Sequence, residues 1–374
     1  MRAGLRRYTM EMRSHALEAD RMEDLPAAYI GNSFFLPVWQ LGTPEHYGYQ
    51  GIKGSDGKQY YGESALELAI WTEEIAYADP TMLVSLPGPQ LLGPLVRVLG
   101  NKEQQERLFA SFLGEQPIWA SFGLTEPGAG SDAGAIRTTA CTNEEGDYHL
   151  YGEKKYIGNG TRSSWLALFA KVGDPMKPYA IQCFLLDKSS LTDPGLTRTS
   201  LASLGMKAGK LAHICLDGVQ VSKEHLLGRH KSPLRRGLHG AVEVFYRMRP
   251  CVSALALGTS LAAMDYVEEH LNLDANKQIQ TARLRWKLEK NRLLIYRAAQ
   301  EADQGIYRPR TSSIAKWVAN QCVYEVTRFC AQLAGGSLFI DHPLLEKWLR
   351  DARMIEFMEG TSNIHKRIIG HEMF

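Results

Sequence analysis

Two stretches of the chain hold residue types that could do chemistry. In EFMEGTSNIHKR, residues 356–367, Glu359 follows Phe357 and Met358 and precedes Gly360 and Thr361. A carboxylate beside apolar side chains and a glycine turn is costly to bury. It is either a solvated helix end or a base whose pKa is lifted by dry surroundings. In SFGLTEPGAGSDAGAIRTTA, residues 121–140, a β-prone run ends at Leu124 and Thr125 opens a loop containing Gly128, Gly130 and Gly134. Such glycines let backbone N–H groups face an anion closely, and Thr125 and Ser131 add hydroxyl donors. The loop is either a cradle for a phosphate or flavin or an ordinary tight turn. Its spacing is not that of a dinucleotide-binding fingerprint.

Three further segments carry candidates. LYGEKKYIGNGTRSSWLALFAKV, 150–172, reads as two strands joined by a hairpin turn at Gly158-Asn159-Gly160, with Tyr156 placed to stack on a planar group or to sit half-buried in a strand. In MRPCVSALALG, 248–258, Arg249 heads an apolar helix, either as a capped surface charge or as a buried cation needing a partner. In QLAGGSLFIDHPLLEKWLRDARMIEFMEG, 332–360, Gly335-Gly336 permit close approach of backbone to a ligand. Arg350 and Asp351 are expected in structural ion pairs.

The elements that position these residues fall into three blocks. Residues 1–116 read as helices. ESALELAIWTEEIAYA (63–78) places Leu66, Leu68, Ile70 and Ile75 on an apolar stripe, and Gly100 divides two helices within 91–113. Residues 41–60 are Gly-rich and expected as loop. From 117 to 228 the runs are short and β-prone: PIWASFGL, YHLYGEKKYI, SWLALFAKV, YAIQCFLLD and HICLDGVQV, the last slipping register at Asp217-Gly218. Strands without intervening helices argue for a sandwich or barrel rather than a parallel sheet. From 229 to 374 helical periodicity returns, with Ile279, Ala282, Trp286, Leu293 and Tyr296 at helical steps and further helices at about 313–333 and 343–357. The fold class is α+β, with a β unit between two helical units that pack on one another.

Composition narrows the function. The chain has 374 residues, 44% of them hydrophobic, enough for a large core. A formal net charge of +2 makes no electrostatic case for nucleic acid. No apolar run approaches the roughly 20 residues of a membrane span. The Arg-rich N-terminus holds Glu11, Glu18 and Asp20, which suits a surface helix of a cytoplasmic protein better than a transit peptide. Cys141, Cys183, Cys215, Cys251, Cys322 and Cys330 form no C-x-x-C pair and show no metal-ligand spacing with His, so buried free thiols and no metal site are expected.

Several separated motifs, in one order, resemble the acyl-CoA dehydrogenase family of flavoproteins over nearly the full chain. They are LTEPGAGSD (124–132), KKYIGNG (154–160), LGMKAGKLAHICLDGVQVSKEHLLG (204–228), Arg249-Pro250, Gln332 with Gly335-Gly336, and RDAR followed by EGTSNI. The resemblance implies an N-terminal helical domain, a central β-barrel domain and a C-terminal four-helix bundle. It implies FAD, an acyl-CoA or acyl-carrier-protein substrate, an electron-accepting flavoprotein or O2, and a homodimer or homotetramer. By the same resemblance Glu359 is the base that removes the α-proton of an acyl thioester, the β-hydrogen leaving as hydride to flavin N5. Arg249 orients the glutamate region. Phe122, Leu124, Thr125, Gly130, Ser131, Tyr156 and Gly158 line the flavin. Gln332, Gly335 and Gly336 bind the adenine dinucleotide part across a subunit interface, and Thr361 and Asn363 lie near FAD.

Three departures from the family pattern bear on function. Gly158 stands where the family usually has Thr, with a hydroxyl near flavin N5. The family's Arg-x-x-Phe-Gly segment is not recognisable in EEHLNLDANKQIQTARLRW, 268–286, which is expected to run straight on. The first helix and the loop at 41–60, which help shape the acyl pocket, are also atypical. The first departure opens a second reading, an oxidase or monooxygenase using O2; the second opens a third, a relative without FAD acting as a structural partner. The basic run RHKSPLRR, 229–236, is either a solvated loop or a dock for CoA phosphates or an acidic carrier protein.

Overall fold

The computed structural model describes residues 1–177 and 179–372. The chain opens with α1 (Arg2–Ser14), α2 (Ala16–Met22), the short α3 (Ala27–Ile30) and α4 (Leu36–Trp39), α5 (Ala65–Ala78), α6 (Pro80–Val84), α7 (Leu92–Leu99) and α8 (Lys102–Ser111). Their starts are written locally. Ser64 accepts from the Glu67 N–H, Asp79 from those of Thr81 and Met82, and Asn101 with Gln104 forms a reciprocal capping box. Gly100 ends α7 as expected. Segment 41–60 is not all loop: a turn with Gly57 in the left-handed region folds β1 (Ile52–Lys53) onto β2 (Gln59–Tyr60).

The apolar stripe expected on α5 is only partly the buried face. Ile75 is buried, while Leu66, Leu68 and Ile70 are intermediate, and Glu73 and Glu74 are buried instead. Glu73 tolerates burial because Arg2, Arg292 and Tyr296 surround it, at 2.9, 2.9 and 2.7 Å.

The central sheet has seven strands: β3 (Ala120–Gly123), β4 (Thr139–Thr142), β5 (Tyr148–Ile157), β6 (Trp165–Val172), β7 (Ile181–Leu186), β8 (Leu196–Ser200) and β9 (Ala212–Val221). Five were expected. β4 and β8, TACT and LTRTS, are short and polar and give no apolar alternation. β6 pairs antiparallel with β7 and parallel with β3 and then β4, so the sheet is mixed. β4, β5, β9 and β8 continue it antiparallel. The slip at Asp217-Gly218 is a bulge: Leu150 pairs with Val219 and Tyr151 with Asp217, leaving Gly218 unpaired at φ +73°.

The turn at Gly158-Asn159-Gly160 is not a hairpin, because β5 and β6 are not neighbours. Asn159 spends its polar groups elsewhere, its N–H on Gly209 O at 2.8 Å and its amide on Val84 O at 3.1 Å. One face of the sheet gathers Leu150, Leu168, Phe184, Ile214 and Val219 into a barrel-like core. The opposite faces of β6 and β7 pack on α7 and α8, so β6 is buried on both sides.

The C-terminal block holds α9 (Gly237–His270), α10 (Ala275–Asp303), α11 (Pro309–Ala334), α12 (Pro343–Ile355) and α13 (Ser362–His371). Segment 268–286 spans the end of α9 at His270 and the start of α10, which Asp274 caps through the Lys277 N–H. Helix α9 contains a stretch long and apolar enough to cross a membrane, but 78% of that stretch is buried inside the protein. α9, α10 and α11 share one core with Ala65 and Ala69 of α5, so the two helical blocks do pack on each other. On α10 the apolar residues divide between two faces. Leu284, Leu288 and Ile295 are buried, whereas Ile279, Trp286 and Leu293, seven residues apart, are 53%, 70% and 71% exposed.

Candidate active site

The turn between α12 and α13 carries Glu359 in the left-handed region at φ +54°, followed by Gly360 at φ +103°. A non-glycine residue held there costs on the order of 1 kcal/mol or more, a strain that clusters at functional sites. The turn is braced from both sides. Glu356 accepts from the Ser362 N–H and hydroxyl at 2.7 and 2.8 Å. From α11, the Asn320 amide donates to the Ser362 hydroxyl at 3.3 Å and Lys316 donates to Ile355 O at 3.0 Å and to Asn320 Oδ1. Glu359 is half-buried by area, yet protein crowds its carboxylate. Burial pushes its pKa up; Arg249 and Lys316 pull against that without reversing it.

Gly360 has no room to change. A Cβ there would lie 3.0 Å from His365 Nε2 and from Ile364 Cγ2. Gly360→Ala is expected to lose about 1–3 kcal/mol of stability and to lower turnover by displacing Glu359. Denaturant midpoints and kcat on the same preparation check this; unchanged values for both would show that the turn relaxes freely.

Arg249 does not head its helix. It lies well inside α9, directly before Pro250, because Leu238, Phe245 and Met248 extend the helix backwards against the sheet. Its Nε and Nη1 are buried without a partner among the described residues, and its guanidinium lies 5.1 Å from the Tyr246 ring centroid. Burial lowers its pKa and Glu359 opposes that. Two buried donors with no acceptor fit a site that receives one from a bound molecule.

Two buried groups here escaped the sequence reading. Lys316 is fully buried, and burial pulls its pKa down to about 7 despite Glu356 and Glu359. His365 is fully buried against Gly360, with neither ring nitrogen bonded among the described residues; burial, with Arg249 and Lys316, holds it down to about 3 and so neutral. Neither is marked by its neighbours in sequence: Lys316 is paired only with neutral groups, Asn320 Oδ1 one turn on and Ile355 O, and no ring nitrogen of His365 is bonded among the described residues.

The glycine loop leaves β3 and is fastened to β5. Lys154 is fully buried and donates to Glu126 Oε1 at 2.7 Å and Leu124 O at 3.2 Å. The Lys155 N–H reaches Thr125 O at 2.9 Å. Glu126 also accepts from Arg137 N–H and from Thr138. Burial alone would raise the Glu126 pKa; the bonds from Lys154 and Thr138 outweigh it and hold the carboxyl below its usual value, while burial draws Lys154 down to about 8. The loop is thus a held structure rather than a loose turn. Gly130 and Ser131 are exposed and Thr125 is half-buried; a Cβ on Gly128 would meet nothing and one on Gly130 only the Thr125 methyl, at 3.9 Å.

Tyr156 is neither a half-buried strand residue nor regular backbone. It sits at a register break in β5, at φ +63°, with its side chain 59% exposed. Gly158 is exposed, and Ser121 donates to its carbonyl at 3.0 Å. Phe122 packs with Phe169 and Phe245, at 5.2 and 5.9 Å between centroids, and so ties β3 to the α9 turn just before Arg249. Thr361 is half-buried at the start of α13 and Asn363 is exposed on it.

Gln332, Gly335 and Gly336 belong to a different place. They are exposed at the C-terminal end of α11, with Gln332 about 24 Å along the helix from Lys316, at roughly 1.5 Å per residue. Gln332 lines a cleft of about 520 Å³ between α10 and α11 with Arg283, Lys287, Tyr324 and Arg328. The residues present fit a flavin dinucleotide: an open glycine loop, an exposed ring on strained backbone, a buried guanidinium with free donors, and a separate basic cleft.

Comparison with known proteins agrees with this geometry. Residues 121–219 match the model for the acyl-CoA dehydrogenase middle domain and residues 235–374 that for the acyl-CoA dehydrogenase C-terminal domain. The chain is 32% identical over 342 residues to a 3-(aryl)acrylate reductase of Clostridium sporogenes (strain ATCC 15579), covering 87% of each. It is 30% identical over 371 residues to the mitochondrial short-chain specific acyl-CoA dehydrogenase of Mus musculus, covering 95% of this chain and 85% of the relative. The fold superposes on a glutaryl-coenzyme A dehydrogenase in complex with glutaryl-CoA with a TM-score of 0.85 at 23% identity, over 100% of this chain and 93% of that one. The chain therefore belongs to the acyl-CoA dehydrogenase family, FAD-dependent oxidoreductases that act on CH–CH bonds of acyl thioesters.

Proposed function

We propose that the protein introduces an α,β double bond into an acyl thioester carried by CoA or by an acyl carrier protein, with Glu359 as the base. The observation that carries this reading is a crowded carboxylate of raised pKa, fixed on left-handed backbone beside a guanidinium with unused donors. An α C–H is a weak acid, so the thioester oxygen must be polarised as the proton leaves; the Glu359 N–H supplies one donor. Glu359 takes the α-proton on its carboxylate. Arg249 keeps that carboxylate ionised and in place, and Lys316 holds the turn from below. Thr125, Ser131 and Tyr156 would hold the flavin half of FAD, and Gln332, Gly335 and Gly336 of a second copy its adenine half. When bound, FAD supplies the acceptor for the β-hydride.

Anaerobic mixing of the FAD-loaded protein with acyl thioesters of graded length tests the reaction. Bleaching of the flavin band with formation of the enoyl thioester supports it. A flavin that no CoA- or carrier-linked thioester bleaches would sink it. The pH dependence follows from the sign of the shift. The base works ionised, and its pKa is raised, so kcat/KM should rise with pH through an apparent pKa above the usual carboxylate value of about 4.3. An acid limb at or below that value would contradict a crowded base.

Gly158 offers no side-chain hydroxyl near the flavin, and this favours O2 as a second acceptor. Rapid reoxidation of the reduced protein with peroxide release would select that reading over transfer to an electron-accepting flavoprotein.

The exposed line Ile279, Trp286 and Leu293 on α10 supports a homodimer or homotetramer. Trp286→Glu should shift the sedimenting species to a smaller assembly and weaken FAD retention; an unchanged distribution would place the contact elsewhere. In the basic run, Arg229 is engaged by Glu224 at 2.9 Å and Arg236 packs across Gly228, which leaves the half-buried Lys231 and the exposed Arg235 for an acidic carrier.

A further inference from the structure

The β5–β9 ladder brings together three side chains that the proposed reaction does not use. Glu153 on β5 faces Cys215 on β9 in register. His213 lies two residues before Cys215, so both project from the same face of the strand. His213 Nε2 is 2.6 Å from Glu153 Oε2 and 3.6 Å from Cys215 Sγ. One donor atom from each residue lies within 4.8 Å of the other two. No zinc-finger-type spacing of His and Cys marks this site in the sequence. The donors stand as His213-x-Cys215, which only a strand turns into a pair, and the carboxylate comes from a neighbouring strand.

We propose that Glu153, His213 and Cys215 form a binding site for a thiophilic divalent ion, zinc first among them, with a fourth position left to water. Zinc bonds of about 2.0 Å to nitrogen or oxygen and about 2.3 Å to sulfur, at tetrahedral angles, set donors roughly 3.3–3.6 Å apart. The Sγ–Nε2 separation already has that length. The Oε2–Nε2 separation is a hydrogen bond that must open by about 0.7 Å, and Glu153 is exposed and free to do so. The ladder is rigid where it matters, because β9 is paired on both edges, with β5 and with β8.

On the β8 side nothing among the described residues opposes a cation. Arg198 on β8 is paired with Ile214, not with His213 or Cys215, and its guanidinium is spent on Gly160 O and Ser163 O. The β8 residues beside the trio are Thr197 and Thr199, opposite Cys215 and His213. A thiolate and an imidazole select zinc over magnesium or calcium, which prefer all-oxygen sites. On binding, the Cys215 thiol loses its proton to solvent and the ion takes its place. His213 coordinates through Nε2 and keeps its remaining proton on Nδ1. The site clamps β5 to β9, and among the described residues no hydrogen bond or ion pair joins it to the Glu359 turn.

The test uses the full-length, FAD-loaded protein, freed of metal by chelator and dialysis, and titrated with zinc against a colorimetric competitor. One saturable zinc per chain is expected. Cys215→Ser and His213→Gln should each weaken it by at least about tenfold, which even outer-shell changes cost a zinc site, while Cys141→Ser, at the other accessible thiol, leaves it intact. Cobalt(II) in place of zinc should give a thiolate-to-metal charge-transfer band, seen as a difference spectrum, that Cys215→Ser abolishes. No saturable zinc, titrations of the Cys215 and His213 variants equal to the parent's, or cobalt binding without the thiolate band would each overturn the site.

Discussion

Glu359→Gln should keep its FAD and lose turnover by about 10²–10⁴-fold. The amide has the shape of the carboxylate, so the left-handed turn, the Ser362–Glu356 brace and the Lys316 contact to Ile355 O all persist. What goes is the only proton acceptor with a raised pKa in that turn, and with it the negative charge facing Arg249 and Lys316. Two measurements separate this from general damage. The flavin-to-protein ratio and the denaturation midpoint should match the parent, while the single-turnover rate of flavin reduction by a thioester collapses. A rate within a few-fold of the parent would mean that the proton leaves to another group.

The largest stability effect is expected at Lys347. Its ammonium is fully buried and donates to Asp79 at 2.7 and 2.9 Å, to the Thr81 hydroxyl at 2.7 Å and to Asp351 at 2.6 Å. Asp79 also caps α6 and accepts from Trp348 Nε1, and Asp351 also accepts from the Met206 N–H. One cation therefore joins α6, α12 and the segment before β9. Burial pushes the Asp351 pKa up, Lys347 opposes it and Asp79 adds to it, so two like charges rely on one counter-ion. Lys347→Met fills the same space but strands both carboxylates. A loss of about 3–5 kcal/mol is expected, read from urea unfolding of the FAD-loaded protein. Adding Asp351→Asn should recover part of it, because one stranded charge is removed. A single-variant loss below about 1 kcal/mol would show that the trio behaves as a solvated surface cluster.

How much of this was legible in sequence depends on the reach of each interaction. Several local signals held. The break at Gly100, the bulge at Asp217-Gly218 and the glycine-rich loop after β3 each follow from residues within one turn or bulge. The family motifs placed Glu359 and Arg249 in one neighbourhood. Two failures are local, the Gly158-Asn159-Gly160 turn that joins no hairpin and the β1–β2 pair inside 41–60, and the others are long-range. Nothing near Lys154 announces that its partner is Glu126, or near Lys347 that it reaches Asp79, 268 residues away. β4 and β8 exist because β5, β6 and β9 offer them edges, not because TACT or LTRTS prefers to be a strand. The periodic line on α10 is legible as a line, but periodicity marks a face without saying what covers it, and Ile279, Trp286 and Leu293 are exposed.

The parallel pairing of β3 with β6 has a consequence for the order of assembly. β3 is matched residue for residue by a strand made much later, Ala120 with Trp165 and Gly123 with Leu168. The glycine loop springs from β3 and is fastened to β5, so it stays unplaced until the chain has been extended through β6. Non-local closure of this kind is slow compared with forming helices. The turn bearing Glu359 comes later than the sheet and needs α11 beneath it. The glycine loop and the Glu359 turn therefore mature at different moments of synthesis, and a nascent chain can hold the first well before it owns the second.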